Sequence, residues 1–89
     1  MSLVAEERIV GVALHREGAV LCLPAPSRHH DLIRVAVRLG WGLVHVQEQG
    51  FLTSLGRFVT RRAAESIARA AGQVTGALIG SVLTSEDLW

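Results

Sequence analysis

Four polar or charged side chains stand in a row at Arg28, His29, His30 and Asp31, after two prolines and before an apolar run. Residues of these types can form the charged first turn of a helix, bind an anion, or carry acid–base or metal chemistry. With Ser27 as a helix cap, they fill the turn whose free backbone N–H groups and positive dipole end attract negative charge. Asp31 meets that attraction from within the chain. A bound phosphate or carboxylate, helped by Arg28, meets it from outside. Adjacent histidines point about 100° apart on a helix, so His29 and His30 do not readily chelate one ion. A metal would need one of them with distant donors such as Asp31, His45 or Glu48, and all three readings stay open at this point.

Other chemistry-bearing residues lie further on. His45 alternates with Val44 and Val46, which on a strand turns it to the opposite face as a half-exposed histidine. Glu48 follows it, and His29 with Asp31 or Glu48 forms the candidate catalytic set, provided folding brings them within hydrogen-bond reach. Arg57, Arg61 and Arg62 come next. The last two open a helix, where cations oppose the dipole, so a compensating acid or a bound anion is expected there, with a solvated face as the alternative. At the end of the sequence Glu86 and Asp87 follow Ser85 as good helix-start chemistry, and Trp89 needs a groove in the core or on a second subunit for its ring. P-loop, dinucleotide, zincin, CxxC and nucleophile-elbow spacings do not occur. No metal and no cofactor is expected.

The elements that must hold these residues are short. An 89-residue chain is expected to form one small domain, with residues 1–7 outside its packed part and no weight on residues 1–3. With 49% of its residues hydrophobic, so small a body has much apolar surface to hide, and self-association as a homo-oligomer, most simply a dimer, is expected. All nine basic residues are arginine, and the net charge of +1 argues against targeting to nucleic acid or an anionic membrane. The two Phe and two Trp do not interleave with a basic stripe, which weakens a single-strand nucleic-acid reading further. No run approaches the ~20 apolar residues of a spanning helix, and the N-terminus is unlike a signal peptide. The cytoplasm of a host cell, a reducing compartment, is the expected location. The single cysteine, Cys22, excludes an intrachain disulfide, and its flanking leucines favour a buried, inert thiol.

Ile9 to Leu14 and Ala19 to Leu23 read as a hairpin around His15 to Gly18, with both strands covered on both faces. A helix capped by Ser27 follows, with Leu32, Ile33, Ala36, Val37 and Leu39 on its apolar stripe and Gly40 as its stop. A short strand is expected over Leu43 to Val46. A hairpin with its turn at Thr53 to Gly56 comes next, then a helix from Arg61 to Ala71 capped by Thr60, with a seam of Ala64, Ile67, Ala68 and Ala71. A last strand over Ala77 to Leu83 and a capped turn beginning at Ser85 close the order. This is an α+β domain, two helices packed on an antiparallel or mixed sheet of about four to five strands.

The joint pattern of R-H-x-D, E-Q-G-F, G-R-F-x-T-R, G-Q and S-E-D-L-aromatic resembles that of a family of small phage and prophage proteins. Arg28, His29 and Asp31; Glu48 to Phe51; Gly56, Phe58, Thr60 and Arg61; Ala64, Ile67 and Ala68; Gly72 and Gln73; and Ser85 to Trp89 carry the resemblance over roughly residues 9 to 89. The chain departs from it at Arg62 and Ala63, where acidic residues are expected; Ala63 removes a capping-box glutamate and Arg62 makes the face more basic. The resemblance implies a phage or prophage origin and brings no activity with it. It does favour His29 over His30. Arg28, His29, Asp31, Glu48, Arg57, Arg61, Glu86 and Asp87 are accordingly expected to converge on one polar surface. Arg28, His29, Arg57, Arg61, Glu86 and Asp87 are the ligand-binding candidates, for a phosphate-bearing small molecule or a host protein. A non-enzymatic interaction module is the preferred function. A small hydrolase or nucleotide-modifying enzyme using His29 with Asp31 or Glu48 is the alternative, and a purely structural polar cluster the third reading.

Overall fold

The computed structural model describes residues 6–89. The expectation for residues 1–7 falls mostly outside the described residues, although Glu7 is held by Arg57 through bonds of 2.7 and 2.8 Å.

Strands β1 (Ile9–Arg16) and β2 (Ala19–Pro24) are joined by Glu17 and Gly18, whose φ angles are 48° and 84°. Two consecutive positive φ values make a type I′ turn, the one whose twist matches that of the strands it joins. The fold then runs through α1 (His29–Arg38), β3 (Gln49–Thr53), β4 (Phe58–Thr60) and α2 (Arg61–Ala70). The four strands pair antiparallel in the order β2-β1-β3-β4. The architecture is α+β, as read from the sequence.

Both helices lie on one face of the sheet. Val12 and Leu14 of β1, Phe51 of β3 and Val59 of β4 pack there against Leu32 and Ala36 of α1 and Ala64 and Ala68 of α2. Alanines at the helix contacts let α2 sit close to β3 and β4. Thr60 caps α2 as expected, its hydroxyl accepting from the Ala63 N–H at 3.2 Å. Beyond α2, the Gln73 side-chain amide takes both backbone groups of Ile9, each at 2.8 Å, and ties the exit of the helix to the first strand.

Several expectations are corrected. The cap of α1 is Arg28 rather than Ser27, with the Asp31 carboxylate accepting from the Arg28 N–H at 2.8 Å. The α1 stripe is narrower than expected: Val37 stays 55% exposed, and Leu39, which ends the helix as its C-cap, 61%. No strand forms over Leu43 to Val46. The Trp41 and Leu43 carbonyls accept from Arg16, and the chain coils into a 3-10 turn over Val46–Glu48. The strand expected over Ala77 to Leu83 is also irregular backbone. Its Ile79 N–H is taken by Asp87 at 2.9 Å and its Leu83 carbonyl by Arg61 at 2.7 Å, while Leu83 alone is buried from this stretch. The closing turn spans Ser85–Asp87 and its cap is Thr84, bonded to Asp87. Cys22 is exposed, not buried, because in β2 it alternates with Leu21 and Leu23, which face the helices. β2 is therefore covered on one face only.

Gly50 fixes the approach of β4. A side chain there would press into the Val59 carbonyl oxygen and lie 2.6 Å from the Phe58 ring, which crosses the open face of the sheet to meet His15 at 5.3 Å between centroids. Gly50→Ala should therefore destabilise the protein by about 1–3 kcal/mol. Glu17→Asn, which suits a positive φ better, should stabilise it by up to about 1 kcal/mol. Urea unfolding followed by circular dichroism measures both, and an unchanged midpoint for Gly50→Ala would contradict the close packing described.

Candidate functional site

The polar residues singled out in the sequence gather only in part. One group lies where the starts of both helices and the closing turn meet over Phe51. His29, the first residue of α1, is 7% exposed. Its ring stands edge-on to Phe51 at 4.9 Å and 85°, with Nε2 2.7 Å from the Gly50 carbonyl oxygen. A carbonyl only accepts, so Nε2 carries the proton. Arg61, the first residue of α2, reaches the same ring, its guanidinium carbon 5.8 Å from the centroid. It donates through Nη1 to the Leu83 carbonyl and through Nη2 to Gln49 Oε1, both at 2.7 Å. Arg28 closes the group, with its buried Nη1 3.6 Å from Glu86 Oε1 and without a hydrogen-bond partner among the described residues.

The remaining candidates stand elsewhere. Glu48 forms a two-point pair with Arg16, whose Nη2 lies 2.9 Å from Oε1 and whose guanidinium stacks 4.9 Å from the Trp41 ring centroid. Its carboxylate also accepts from the His45 N–H at 2.8 Å. Arg57 pairs with Glu7. Asp31 caps α1, and its other oxygen lies 3.4 Å from exposed His30. Asp87 bonds the Ile79 and Thr84 backbone and the Thr84 hydroxyl. Trp89 packs against the core and donates from Nε1 to the Ser27 carbonyl at 2.9 Å. The structure thus brings together Arg28, His29, Arg61 and Glu86. It does not bring Glu48 or Arg57 to them, and it turns the carboxylates of Asp31 and Asp87 onto local backbone.

Burial pushes the His29 pKa down, the bond to Gly50 opposes that shift, and the nearby Arg61 cation adds to it. The Arg61 guanidinium is likewise lowered by burial and partly restored by Glu86. The Arg16 guanidinium holds Glu48 down to about 2, and Arg57 holds Glu7 down to about 2. His29, Asp31 and Glu48 form no hydrogen-bonded set: the imidazole donates to a peptide carbonyl and each carboxylate is engaged elsewhere. Among the described residues no group of three or more His, Cys, Asp and Glu side chains gathers as a metal site would require. No helix among them is long and apolar enough to cross a membrane.

A second feature adjoins the seam. A cleft of about 160 Å³ opens between the first turn of α2 and the segment before the closing turn, lined by Arg61, Arg62, Glu65, Ser81, Val82 and Leu83. Glu65 is drawn to Arg69 at 2.8 Å, whereas no carboxylate pairs with Arg61 or Arg62 among the described residues. Arg62 stands, with Arg61, at the helix start where the sequence calls for a compensating acid or a bound anion, whereas Gln49 and Gln73 have no role assigned from the sequence. The two glutamines carried no signal beyond their places in the resemblance.

These features define a small α+β protein in which the first residue of each helix, His29 and Arg61, packs against one phenylalanine of the sheet. The family model for the phage T4 y16D protein matches residues 8–89, and the chain belongs to that family. No curated protein and no solved structure matches it.

The His29 environment sets a pH dependence. Its folded pKa lies below the ordinary 6.5, so the unfolded chain takes up a proton first as the pH falls. The contribution is complete above pH 6.5 and is lost as the pH falls through the lower folded value. Glu7 and Glu48 contribute above 4.5 and are lost toward about 2. Urea midpoints should therefore fall in a first step just below pH 6.5 and again at lower pH. His29→Gln, which keeps an N–H donor for Gly50, should remove the first step alone; its persistence would assign that step to another group.

Proposed function

We propose that the protein is a non-enzymatic binding module of the host cytoplasm that takes an anionic group at the start of α2, carried on a phosphate-bearing small molecule or on a host protein. One observation carries this reading. The first turn of α2 holds no acid and begins with Arg61 and Arg62, which border the cleft. Every other helical start described supplies its own carboxylate: Asp31 in α1, Glu48 in the 3-10 turn, and Glu86 with Asp87 in the closing turn. At α2 the dipole, the free N–H groups and two cations all favour negative charge that the chain does not provide. The Arg61 bonds to neutral oxygens fix its fork in place, which lowers the entropy lost on meeting a ligand. Self-association through exposed apolar surface belongs to the same reading, since Val20, Val37, Leu39, Leu43, Val46, Leu55, Ile79 and Val82 all stand in solvent.

An acid–base enzyme built on His29 finds no carboxylate bonded to the imidazole. A purely structural role accounts well for Asp31, Gln49, Gln73 and Asp87 and leaves Arg62 without one.

Amide chemical shifts followed during titration with inorganic phosphate, and separately with an acidic peptide, test the proposal. Shifts confined to residues 61–65 and 81–83 are expected from one probe or both, weakening with salt. Arg62→Glu should reduce the affinity by about tenfold, or ~1.4 kcal/mol. If neither probe moves those resonances, the proposal is wrong.

A further inference from the structure

The hairpin turn determines which backbone groups of β2 are paired. In a two-residue type I′ hairpin the flanking residues, here Arg16 and Ala19, form a hydrogen-bonded pair, and bonded and non-bonded pairs then alternate. Leu14 with Leu21 and Val12 with Leu23 are bonded pairs, whereas His15 with Val20, Ala13 with Cys22 and Gly11 with Pro24 are not. The Ala25 N–H donating to the Val10 carbonyl at 2.9 Å continues the same alternation one step past the strand. The N–H and C=O of Val20 and of Cys22 therefore point outward from the edge of the sheet. Among the described residues neither has a partner.

Open edges of this kind are usually blunted by charge, a bulge or shortness. The opposite edge is blunted: β4 has three residues and runs straight into α2. β2 has six residues, AVLCLP, with no charge and no register shift. Its Pro24 stands in an outward position, so the missing N–H ends the open stretch without disturbing the pairing with β1. The outer-face side chains are available as well: Val20 is 44% exposed and Cys22 is exposed.

We propose that β2 pairs antiparallel with β2 of a second copy about a two-fold axis at Leu21, joining two sheets edge to edge. It rests on the self-association half of the preceding reading and is independent of the arginine cleft. About that axis Val20 falls opposite the partner's Cys22, and Cys22 opposite the partner's Val20. Each of these pairs exchanges an N–H and a C=O in both directions, so every outward donor meets an acceptor. The flanks fit a second copy too. Pro24 falls opposite the partner's Gly18, which has no side chain, and Glu17 opposite the partner's Ala25, so no like charges face each other. An edge that supplies its own complement under a two-fold rotation fits an isologous dimer.

Sedimentation velocity on a dilution series of the full chain, under reducing conditions to exclude a disulfide, tests the proposal. A dimer that dissociates on dilution is expected, with slow exchange of the Val20 and Cys22 amides when concentrated and fast exchange when dilute. Val20→Pro removes only an outward N–H, and Val20→Lys places a charge at the same edge; each should lose the dimer while keeping the far-ultraviolet spectrum. A dimer that survives in a folded variant, or Val20 and Cys22 amides whose exchange ignores concentration, would move the interface away from β2 and leave self-association standing. A chain that is monomeric throughout overturns this inference and self-association together, and the phosphate titration stands apart from both.

Discussion

A buried imidazole N–H must find an acceptor for its hydrogen bond, and here the acceptor is the peptide carbonyl of Gly50. That bond joins the first turn of α1 to the middle of the sheet, at the residue where β4 comes too close for any side chain. The neighbouring ring, Phe51, is the contact shared by His29 and Arg61, so the start of α2 is set against the same point. Arg61 then reaches the Leu83 carbonyl, which places the final segment. Both helices and the closing turn therefore take their positions from two adjacent residues of β3. The arrangement suits a small domain, in which a few well-satisfied buried polar contacts specify one packing among several that apolar burial alone would allow.

The polar residues divide by whether the fold uses up their hydrogen-bonding capacity. Asp31, Glu48, Gln49, Gln73 and Asp87 do so, on backbone groups or on arginines. Each stands where irregular backbone or a helix end would otherwise leave donors or acceptors unsatisfied. Arg62 is different. It lies next to a cation already fixed in place and has no partner among the described residues. Most of these side chains thus serve to close the chain on itself, and Arg62 is left open to an outside group.

The helices were legible because their signals are local. Thr60, Gly40 and Gly72 mark ends, and the spacing of Ala64 and Ala68 marks a face. The first hairpin was legible from Gly18 between two apolar runs. The two strands wrongly expected, over Leu43 to Val46 and Ala77 to Leu83, have apolar composition that suits a strand. Their backbone groups, however, are claimed by Arg16, Arg61 and Asp87, each remote along the chain from at least one group it binds, and local composition does not register such competition. Cys22 was misread for a simpler reason. In a strand the burial of Leu21 and Leu23 implies exposure of the residue between them, so the flanks point the other way. The gathering of Arg28, His29, Arg61 and Glu86 follows from sheet order, which no spacing in the sequence encodes.

The Gln73 amide holds the backbone of Ile9 across 64 positions of sequence, and Trp89 reaches Ser27 across 62. Both contacts join segments far apart in sequence, whereas the pairing of β1 with β2 is local. Each closure must overcome the chain entropy of its loop before it contributes anything. A fragment that stops before Gln73 therefore lacks both closures and keeps only the pairing of the sheet and the packing of the helices on it.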